Sequence, residues 1–254
     1  MEKKYFFFDI DGTLCYGLSR TVPTSTQACL AQLRAAGHFV SIATGRLQKD
    51  ALAIAQRIGI STLVADGGNS VTLNGRLLSM ESLPVPACVR FIRHLEQKGI
   101  PWAAVIHNEL EQVTPDGRYR RAIARDYFGI VEDPAFDYTA QPVFYKLMVA
   151  CSPEWESSID FGTLPHVRYT PDRLMIEPTS KADGIKKMMD ALDAPYSDVV
   201  VFGDGMNDIQ MFGDQWFSIA MGNACPELKA LADYVTDRCD RDGIWNACKR
   251  FGWI

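Results

Sequence analysis

Two carboxylates follow the first apolar run of the chain at a spacing that suits acid–base chemistry. The run covers residues 5–8 and leads directly into Asp9, with Asp11 two positions later and Gly12 behind it. Such a run predicts a buried strand, and ligands of parallel sheets lie beyond the carboxyl ends of the strands. One carboxylate at that edge can attack a substrate while the other moves a proton. An acidic turn is the structural alternative, because Asp and Gly are common turn residues.

A second polar segment follows the next predicted strand. Thr44, Gly45 and Arg46 end the strand HFVSIAT and open a helix. A hydroxyl together with the backbone N–H groups of a helix N-terminus can bind phosphate. Thr44 can equally serve only to cap the helix.

Acidic and basic groups recur near the end of the chain. The strand DVVVF runs into GDGMND at residues 203–208, which supplies Asp204, Asn207 and Asp208. Carboxylate and amide oxygens are suitable ligands for Mg²⁺, although an acidic turn is again the alternative. Lys181 begins a helix, where it is either a solvated side chain or a point charge on phosphate oxygens.

The composition excludes several classes of protein. The 254 residues are 47% hydrophobic and 22% charged, as in ordinary globular chains. The net charge of −5 argues against a nucleic-acid partner. No apolar stretch reaches membrane-spanning length, so we expect no membrane partner. The seven cysteines are scattered and no export signal is recognisable, which indicates a cytoplasmic protein with reduced thiols.

The periodicity predicts an α/β fold with an inserted module. Strands and helices alternate over residues 1–80 and again over residues 180–254, which indicates a doubly wound, Rossmann-like parallel sheet. Asn74-Gly75 between two apolar runs predicts a type I′ hairpin. Residues 81–179 mix helices with further strands, including one predicted over 168–177, and form an inserted α+β module.

The four motifs in this order resemble the haloacid dehalogenase-like (HAD) superfamily, in its Cof-like phosphatase branch with a large α/β cap. DIDGT begins at Asp9, ATGR at Ala43, SK at Ser180 and GDGMND at Gly203. The segment MGNA at residues 221–224 is also similar to that branch, and the resemblance covers nearly the whole chain. One departure is Asp66, where the branch usually has Asn, and this difference puts substrate preference in doubt.

The resemblance implies a role for each motif residue. Asp9 would form an aspartyl phosphate, and Asp11 would protonate the leaving group and then activate water. The catalytic set implied is Asp9, Asp11, Thr44 and Lys181. The phosphate-binding set implied is Gly12, Thr44, Gly45, Arg46, Lys181 and Asn207. The Mg²⁺ ligands implied are Asp9, the Asp11 carbonyl, Asp204 and Asp208.

Three functions are compatible with these motifs. The first is a Mg²⁺-dependent phosphatase of small phosphorylated metabolites, with sugar phosphates as the expected class. The second is a phosphosugar mutase, which uses the same covalent intermediate. The third is a catalytically idle binding protein on the same fold. Substrate choice is expected to depend on the inserted module, with these candidate residues: His107, Lys146, Tyr169 and Arg173.

Overall fold

The computed structural model describes residues 2–17 and 21–254. The chain forms two compact units, one made of Met1–Met80 with Ser180–Ile254 and the other of Glu81–Thr179. We call the first the core unit and the second the inserted unit. The core unit is therefore assembled from both ends of the chain.

The first part of the core unit alternates strands and helices before it ends in a hairpin. Its elements are β1 (Tyr5–Phe8), α1 (Thr24–Ala35), β2 (Phe39–Ala43), α2 (Gln48–Arg57), β3 (Leu63–Ala65), β4 (Ser70–Leu73) and β5 (Arg76–Met80). Asn74 and Gly75 join β4 to β5 with φ of 50° and 79°. Two positive φ angles are what a type I′ turn requires, so the predicted hairpin is confirmed.

The inserted unit is a sheet with short helices. Its elements are α3 (Val85–Gln97), β6 (Trp102–Val105), β7 (Glu111–Thr114), α4 (Arg118–Ala122), β8 (Gly129–Glu132), β9 (Lys146–Ala150), α5 (Pro153–Glu156), β10 (His166–Thr170) and β11 (Arg173–Ile176). The sheet order is β10-β11-β9-β6-β7-β8, and only the β7–β8 pair is parallel.

One strand predicted in the inserted unit is wrong. Residues 168–177 do not form a single strand, because the chain turns at Pro171 and Asp172 and returns as β11. Proline cannot donate to a ladder and aspartate favours turns, so this dipeptide separates the two strands. The sequence pattern also failed to predict β7 and β8, each only four residues long.

The second part of the core unit returns to alternation. Its elements are α6 (Lys181–Ala191), β12 (Val199–Gly203), β13 (Phe217–Ala220), α7 (Pro226–Leu231), β14 (Tyr234–Val235) and α8 (Gly243–Arg250). Within the described ranges, no helix is both long and apolar enough to cross a bilayer.

The core sheet places β1 at its centre. Its order is β14-β13-β12-β1-β2-β3-β4-β5, and every pair from β14 to β3 is parallel. The strands β1, β2 and β12 therefore end at the same edge of the sheet. This arrangement confirms the predicted α/β class, with β4 and β5 as an antiparallel extension.

The three phenylalanines of β1 explain why this strand is central. Phe6 and Phe8 point into one apolar cluster, which includes Leu30 of α1, whereas Phe7 points into the opposite cluster with Ile185 of α6. All three rings are completely buried. A parallel strand covered by helices on both faces needs such a continuous apolar run.

Candidate active site

The end of β1 brings Asp9 to the carboxyl edge of the core sheet. The backbone N–H of Asp9 still donates to Phe202 of β12 at 3.0 Å, so the ladder fixes the start of the following loop. Gly12 has φ of 89°, and a Cβ there would lie 2.0 Å from Oδ2 of Asp204. Only glycine therefore lets the loop approach the Asp204 carboxylate so closely.

Lys181 joins the two halves of the core unit at this edge. It is the first residue of α6 and is 1% exposed, and its Nζ donates to Asp9 Oδ1 at 2.6 Å and to Asp208 Oδ1 at 2.5 Å. Burial by itself lowers the pKa of Lys181, but the carboxylates of Asp208 and Asp9 outweigh it and raise that pKa above its ordinary value. The ammonium therefore stays charged between two acids.

A close backbone approach fixes the start of α6. Gly68 has φ of 109°, and a Cβ there would lie 2.0 Å from the carbonyl oxygen of Ser180. The second glycine of the Asp66–Gly68 turn thus makes room for the residue that precedes Lys181. The sequence signal available for this contact was the pair of glycines at residues 67 and 68.

Asp204 follows β12 and receives hydrogen bonds from two other loops. Its Oδ1 accepts from the Thr13 hydroxyl at 3.1 Å, and its Oδ2 accepts from Nδ2 of Asn223 at 3.3 Å. Asn223 also donates to the Gly12 carbonyl at 2.8 Å. Burial and the charge of Asp208 raise the pKa of Asp204 to about 7. Asn223 is the third residue of MGNA, a segment to which sequence reasoning gave no role.

Asp208 is completely buried and both of its oxygens are engaged. Oδ1 accepts from Lys181, while Oδ2 accepts from the backbone N–H groups of Asp204 at 2.9 Å and Gly205 at 3.0 Å. Asn207 lies beside it on the 3-10 turn Met206–Met211 and is exposed. Asp208 therefore shapes the GDGMND loop and holds Lys181, whereas the role of Asn207 stays a prediction.

The three carboxylates form a cluster that fits a cation. Asp9, Asp204 and Asp208 each offer an oxygen within 4.8 Å of the other two. Burial raises the pKa of Asp9 well above its usual range, and the charges of Asp208 and Asp204 add to this effect although Lys181 opposes it. One ammonium does not compensate two buried carboxylates and a third that is half-buried, and an all-oxygen donor set suits a hard divalent ion.

The ATGR segment is held by its own hydrogen bonds. The Thr44 hydroxyl accepts from the backbone N–H of Arg46 at 3.2 Å, and Asp66 Oδ2 accepts from that of Gln48 at 3.1 Å. Asp66 is buried and has a φ of 50°. Two N–H groups near the start of α2 are therefore satisfied within the protein. Thr44 and Gly45 do lie at the expected sheet edge, and their contact with phosphate stays a prediction.

Arg46 contacts carboxylates in this structure. Its Nε and Nη2 donate to Oδ2 and Oδ1 of Asp11 at 2.7 and 2.6 Å, and its Nη1 donates to Asp50 at 2.8 Å. Sequence reasoning proposed Arg46 for phosphate and did not consider Asp50. The signal available was the spacing of Arg46 and Asp50, four residues apart at the start of a helix.

The four candidate residues of the inserted unit differ in their surroundings. Lys146 is buried in an ion pair with Glu177, and Arg173 is buried with its Nη1 2.7 Å from Asp126 Oδ2. Tyr169 lies against the Arg173 guanidinium, and His107 is exposed. Lys146 and Arg173 thus have carboxylate partners inside the unit itself.

Comparisons with known proteins agree on one family. A family model described as haloacid dehalogenase-like hydrolase matches residues 6–248. The Bacillus subtilis (strain 168) protein named "Putative phosphatase YkrA" is 31% identical over 260 residues, which cover 100% of each chain. A second relative from that organism, 5-amino-6-(5-phospho-D-ribitylamino)uracil phosphatase YitU, is 24% identical over 276 residues, which cover 99% of each chain.

A solved structure extends this agreement to the fold. The HAD subclass IIB sugar phosphatase BT4131 superposes with a TM-score of 0.81 at 27% identity, covering 99% of this chain and 100% of that one. The family match spans nearly the whole sequence and includes all four motifs. The resemblance inferred from those motifs is confirmed: the chain belongs to the haloacid dehalogenase-like hydrolases.

Proposed function

We propose that this chain is a Mg²⁺-dependent phosphatase that hydrolyses small phosphate monoesters, with sugar phosphates as the leading class, through an aspartyl phosphate on Asp9. The observation that carries the proposal is the joint placement of Asp9, Lys181 and Asp204 at the carboxyl edge of β1. A nucleophile, a fixed cation and an acidic oxygen cluster are the parts that phosphoryl transfer requires.

Asp9 is the proposed nucleophile. Its Oδ1 accepts one hydrogen bond from Lys181, which orients the carboxylate. Oδ2 is the proposed attacking atom, and the second lone pair of Oδ1 is available to a metal. Attack on phosphorus forms the Asp9–phosphorus bond as the bond to the leaving oxygen breaks. The ammonium of Lys181 reduces the repulsion between the carboxylate and a phosphate dianion, which would otherwise oppose this approach.

Asp11 is the proposed acid and base. In its protonated form it gives a proton to the leaving oxygen, and the resulting carboxylate then takes a proton from water. The water oxygen bonds to phosphorus, the Asp9–phosphorus bond breaks, and inorganic phosphate leaves. Asp11 is protonated again at the end, so one water is consumed for each phosphate released. Asp11 is the more accessible of the two acids, with its side chain 27% exposed against 5% for Asp9.

Mg²⁺ is the proposed metal, and Asp9 with Asp204 are the carboxylates best placed to hold it. Both oxygens of Asp208 are engaged by protein donors, so Asp208 is assigned to supporting the loop and Lys181. When bound, a divalent cation neutralises charge on the phosphoryl oxygens. Asp204 is oriented for this role by Thr13 and Asn223.

Substrate selection is proposed to reside in the inserted unit. Asp9, Lys181 and a metal recognise only features that all phosphate esters share. YitU and BT4131 carry names of different substrate classes, a modified uracil and a sugar, within one family. Selection therefore requires side chains outside the four motifs.

A screen for released phosphate tests the proposal. The purified chain is incubated with Mg²⁺ and a panel of phosphorylated metabolites, with an Asp9→Asn variant run in parallel. Phosphate release by the wild type alone is expected. No release from any ester would refute the phosphatase, and accumulation of an isomeric phosphate instead would indicate a mutase.

A further inference from the structure

Arg46 contacts two carboxylates at once, that of Asp11 and that of Asp50. Only Asp11 has a role in the proposed reaction. Its fork spans both oxygens of Asp11 at 2.6 and 2.7 Å, while its third nitrogen lies 2.8 Å from Asp50 Oδ2. The side chains of Arg46 and Asp50 are 10% and 2% exposed. The three groups form a fixed chain from the first turn of α2 to the loop after β1.

Asp50 fixes the position of the guanidinium. It is buried in the first turn of α2, four residues after Arg46. A buried carboxylate is costly unless it is paired, so the Asp50–Arg46 contact is held firmly. The rigid planar fork of an arginine then determines the plane of any carboxylate that it pairs with on both oxygens.

The net charge of this group argues against a phosphate site. Asp11 and Asp50 contribute two negative charges and Arg46 one positive charge, so the trio carries a net charge of −1 when ionised. A phosphate dianion would have to displace Asp11 from the fork and then face two carboxylates. Lys181 also contacts two carboxylates, but one of them is Asp9, the proposed nucleophile, so its positive charge lies at the point of attack and it is the better phosphate partner.

We infer that Arg46 is a positioning residue for Asp11 and that Asp50 holds Arg46 in place. The inference rests on the proposed function, because it assigns Asp11 its proton-transfer role. Fixing the Asp11 carboxylate beyond the end of β1 orders the group that must reach the leaving oxygen. Proton transfer depends steeply on such placement, since the donor and acceptor atoms have to come within hydrogen-bond reach.

A positioning role predicts a dependence on the leaving group. p-Nitrophenolate departs readily without a proton, whereas an alkoxide needs one as its bond to phosphorus breaks. Disordering Asp11 should therefore reduce kcat/KM for an alkyl phosphate more than for p-nitrophenyl phosphate. Removing a phosphate ligand would reduce both alike and weaken binding of inorganic phosphate.

The experiment compares Arg46→Lys, Arg46→Gln and Asp50→Asn with wild type, with the exposed helix residue Arg57 changed to Gln as the control. The substrates are p-nitrophenyl phosphate and the alkyl phosphate that the wild type hydrolyses best. We expect both Arg46 variants to lose about tenfold more kcat/KM with the alkyl ester than with p-nitrophenyl phosphate, which is a part of the roughly 10²- to 10⁴-fold that general acid catalysis contributes. Inhibition by inorganic phosphate should change little.

Arg46→Lys separates position from charge. Lysine keeps the positive charge beside the buried Asp50, so this variant should fold, but it lacks the fork. Failure of lysine to restore alkyl-ester hydrolysis supports the inference. Full restoration, or an equal loss for both substrates with weaker phosphate inhibition, would overturn it and make Arg46 a phosphate ligand.

A structural measurement keeps this test independent of the proposed activity. Crystal structures of the metal-free wild type and Arg46→Lys should differ in the orientation of the Asp11 carboxylate. An unchanged carboxylate would overturn the inference even if the enzyme is active. A wild type that hydrolyses no ester would refute the proposed function, while the crystal comparison would still decide what Arg46 holds.

Discussion

The Nζ of Lys181 lies 2.6 Å from Oδ1 of Asp9, although 172 positions separate the two residues in sequence. The inserted unit occupies most of that interval. β1 and α6 meet because both pack in the core unit, with Phe7 and Ile185 in one apolar cluster. The Lys181–Asp9 pair is thus held in place by the hydrophobic packing of β1 against α6 as well as by the attraction between the two charges.

Asp9→Asn should abolish turnover while the fold is kept. An amide cannot act as the anionic nucleophile, so we expect a loss of at least about 10³-fold, as for other covalent nucleophiles. The same variant should fail to trap beryllium fluoride, which mimics an aspartyl phosphate. Measurable steady-state turnover in Asp9→Asn would mean that another residue attacks.

Asp204→Ala and Asp208→Ala should have different main effects. Asp204→Ala removes an accessible carboxylate and should weaken Mg²⁺ binding more, as measured by calorimetric titration. Asp208→Ala leaves Lys181 with one fewer buried partner and should cost about 3–5 kcal/mol of folding stability, measured by urea unfolding. The assignment of roles is reversed if Asp208→Ala loses more metal affinity and less stability.

Gly12→Ala should impair the site without a change of charge. Its Cβ would lie 2.0 Å from Asp204 Oδ2, and φ of 89° is strained for alanine. We therefore expect weaker Mg²⁺ binding and lower activity. Gly75→Ala is the matched control, because its φ is also positive but its Cβ would meet no atom within 4 Å. Similar metal affinity in the two variants would contradict the steric argument.

His38 should make the core unit less stable at acidic pH. Burial lowers the pKa of His38, whose Nδ1 accepts from the backbone N–H of Lys4 at 3.0 Å. Below the unfolded pKa of about 6.5, the unfolded chain binds a proton that the folded histidine does not, so stability falls as pH decreases.

The test of this pH effect is a comparison with His38→Gln. The burial-raised pKa values of Asp9 and Asp204 act in the opposite direction, because the folded state then binds protons first. Only the difference in stability between the wild type and His38→Gln isolates the contribution of His38. Urea midpoints at pH 7.5 and 5.5, with chelator present, should fall further in the wild type. Parallel shifts would show that His38 does not titrate in this way.

Variants of the inserted unit should change substrate preference. His107→Ala, Lys146→Ala, Tyr169→Ala and Arg173→Ala are expected to alter kcat/KM ratios between metabolites, with smaller effects on p-nitrophenyl phosphate. Lys146 and Arg173 are buried in ion pairs, so melting temperatures must accompany the kinetics. If none of the four changes the ratios, selection lies elsewhere in the chain.

The sequence predicts the core unit well because its signals are local. The alternating buried faces of Phe6 and Phe7, the Asn74-Gly75 turn and the acids after β1 each depend on a few neighbouring residues. The motif order then supplied the family. These local signals and the order of the four motifs were sufficient to predict the HAD fold and the resemblance to phosphatases.

What the sequence could not show depends on contacts between distant segments. Nothing near Arg46 indicates that its fork meets Asp11 instead of phosphate, because that contact spans 35 positions. The same is true of the role of Gly68, which becomes visible only when Ser180 lies against it. In the inserted unit, short strands such as β7 carry too few residues for a clear period.

The discontinuous core unit has a consequence for biosynthesis. β1 pairs with β2 on one side and with β12 on the other. At about 5–20 residues per second, a ribosome needs seconds to add the inserted unit before β12 can emerge. Throughout that interval the nascent chain exposes one unpaired edge of the strand that carries Phe6, Phe7 and Phe8. We expect newly made chains to depend on protection by a chaperone until Lys181 and β12 arrive, and truncations before residue 199 to aggregate.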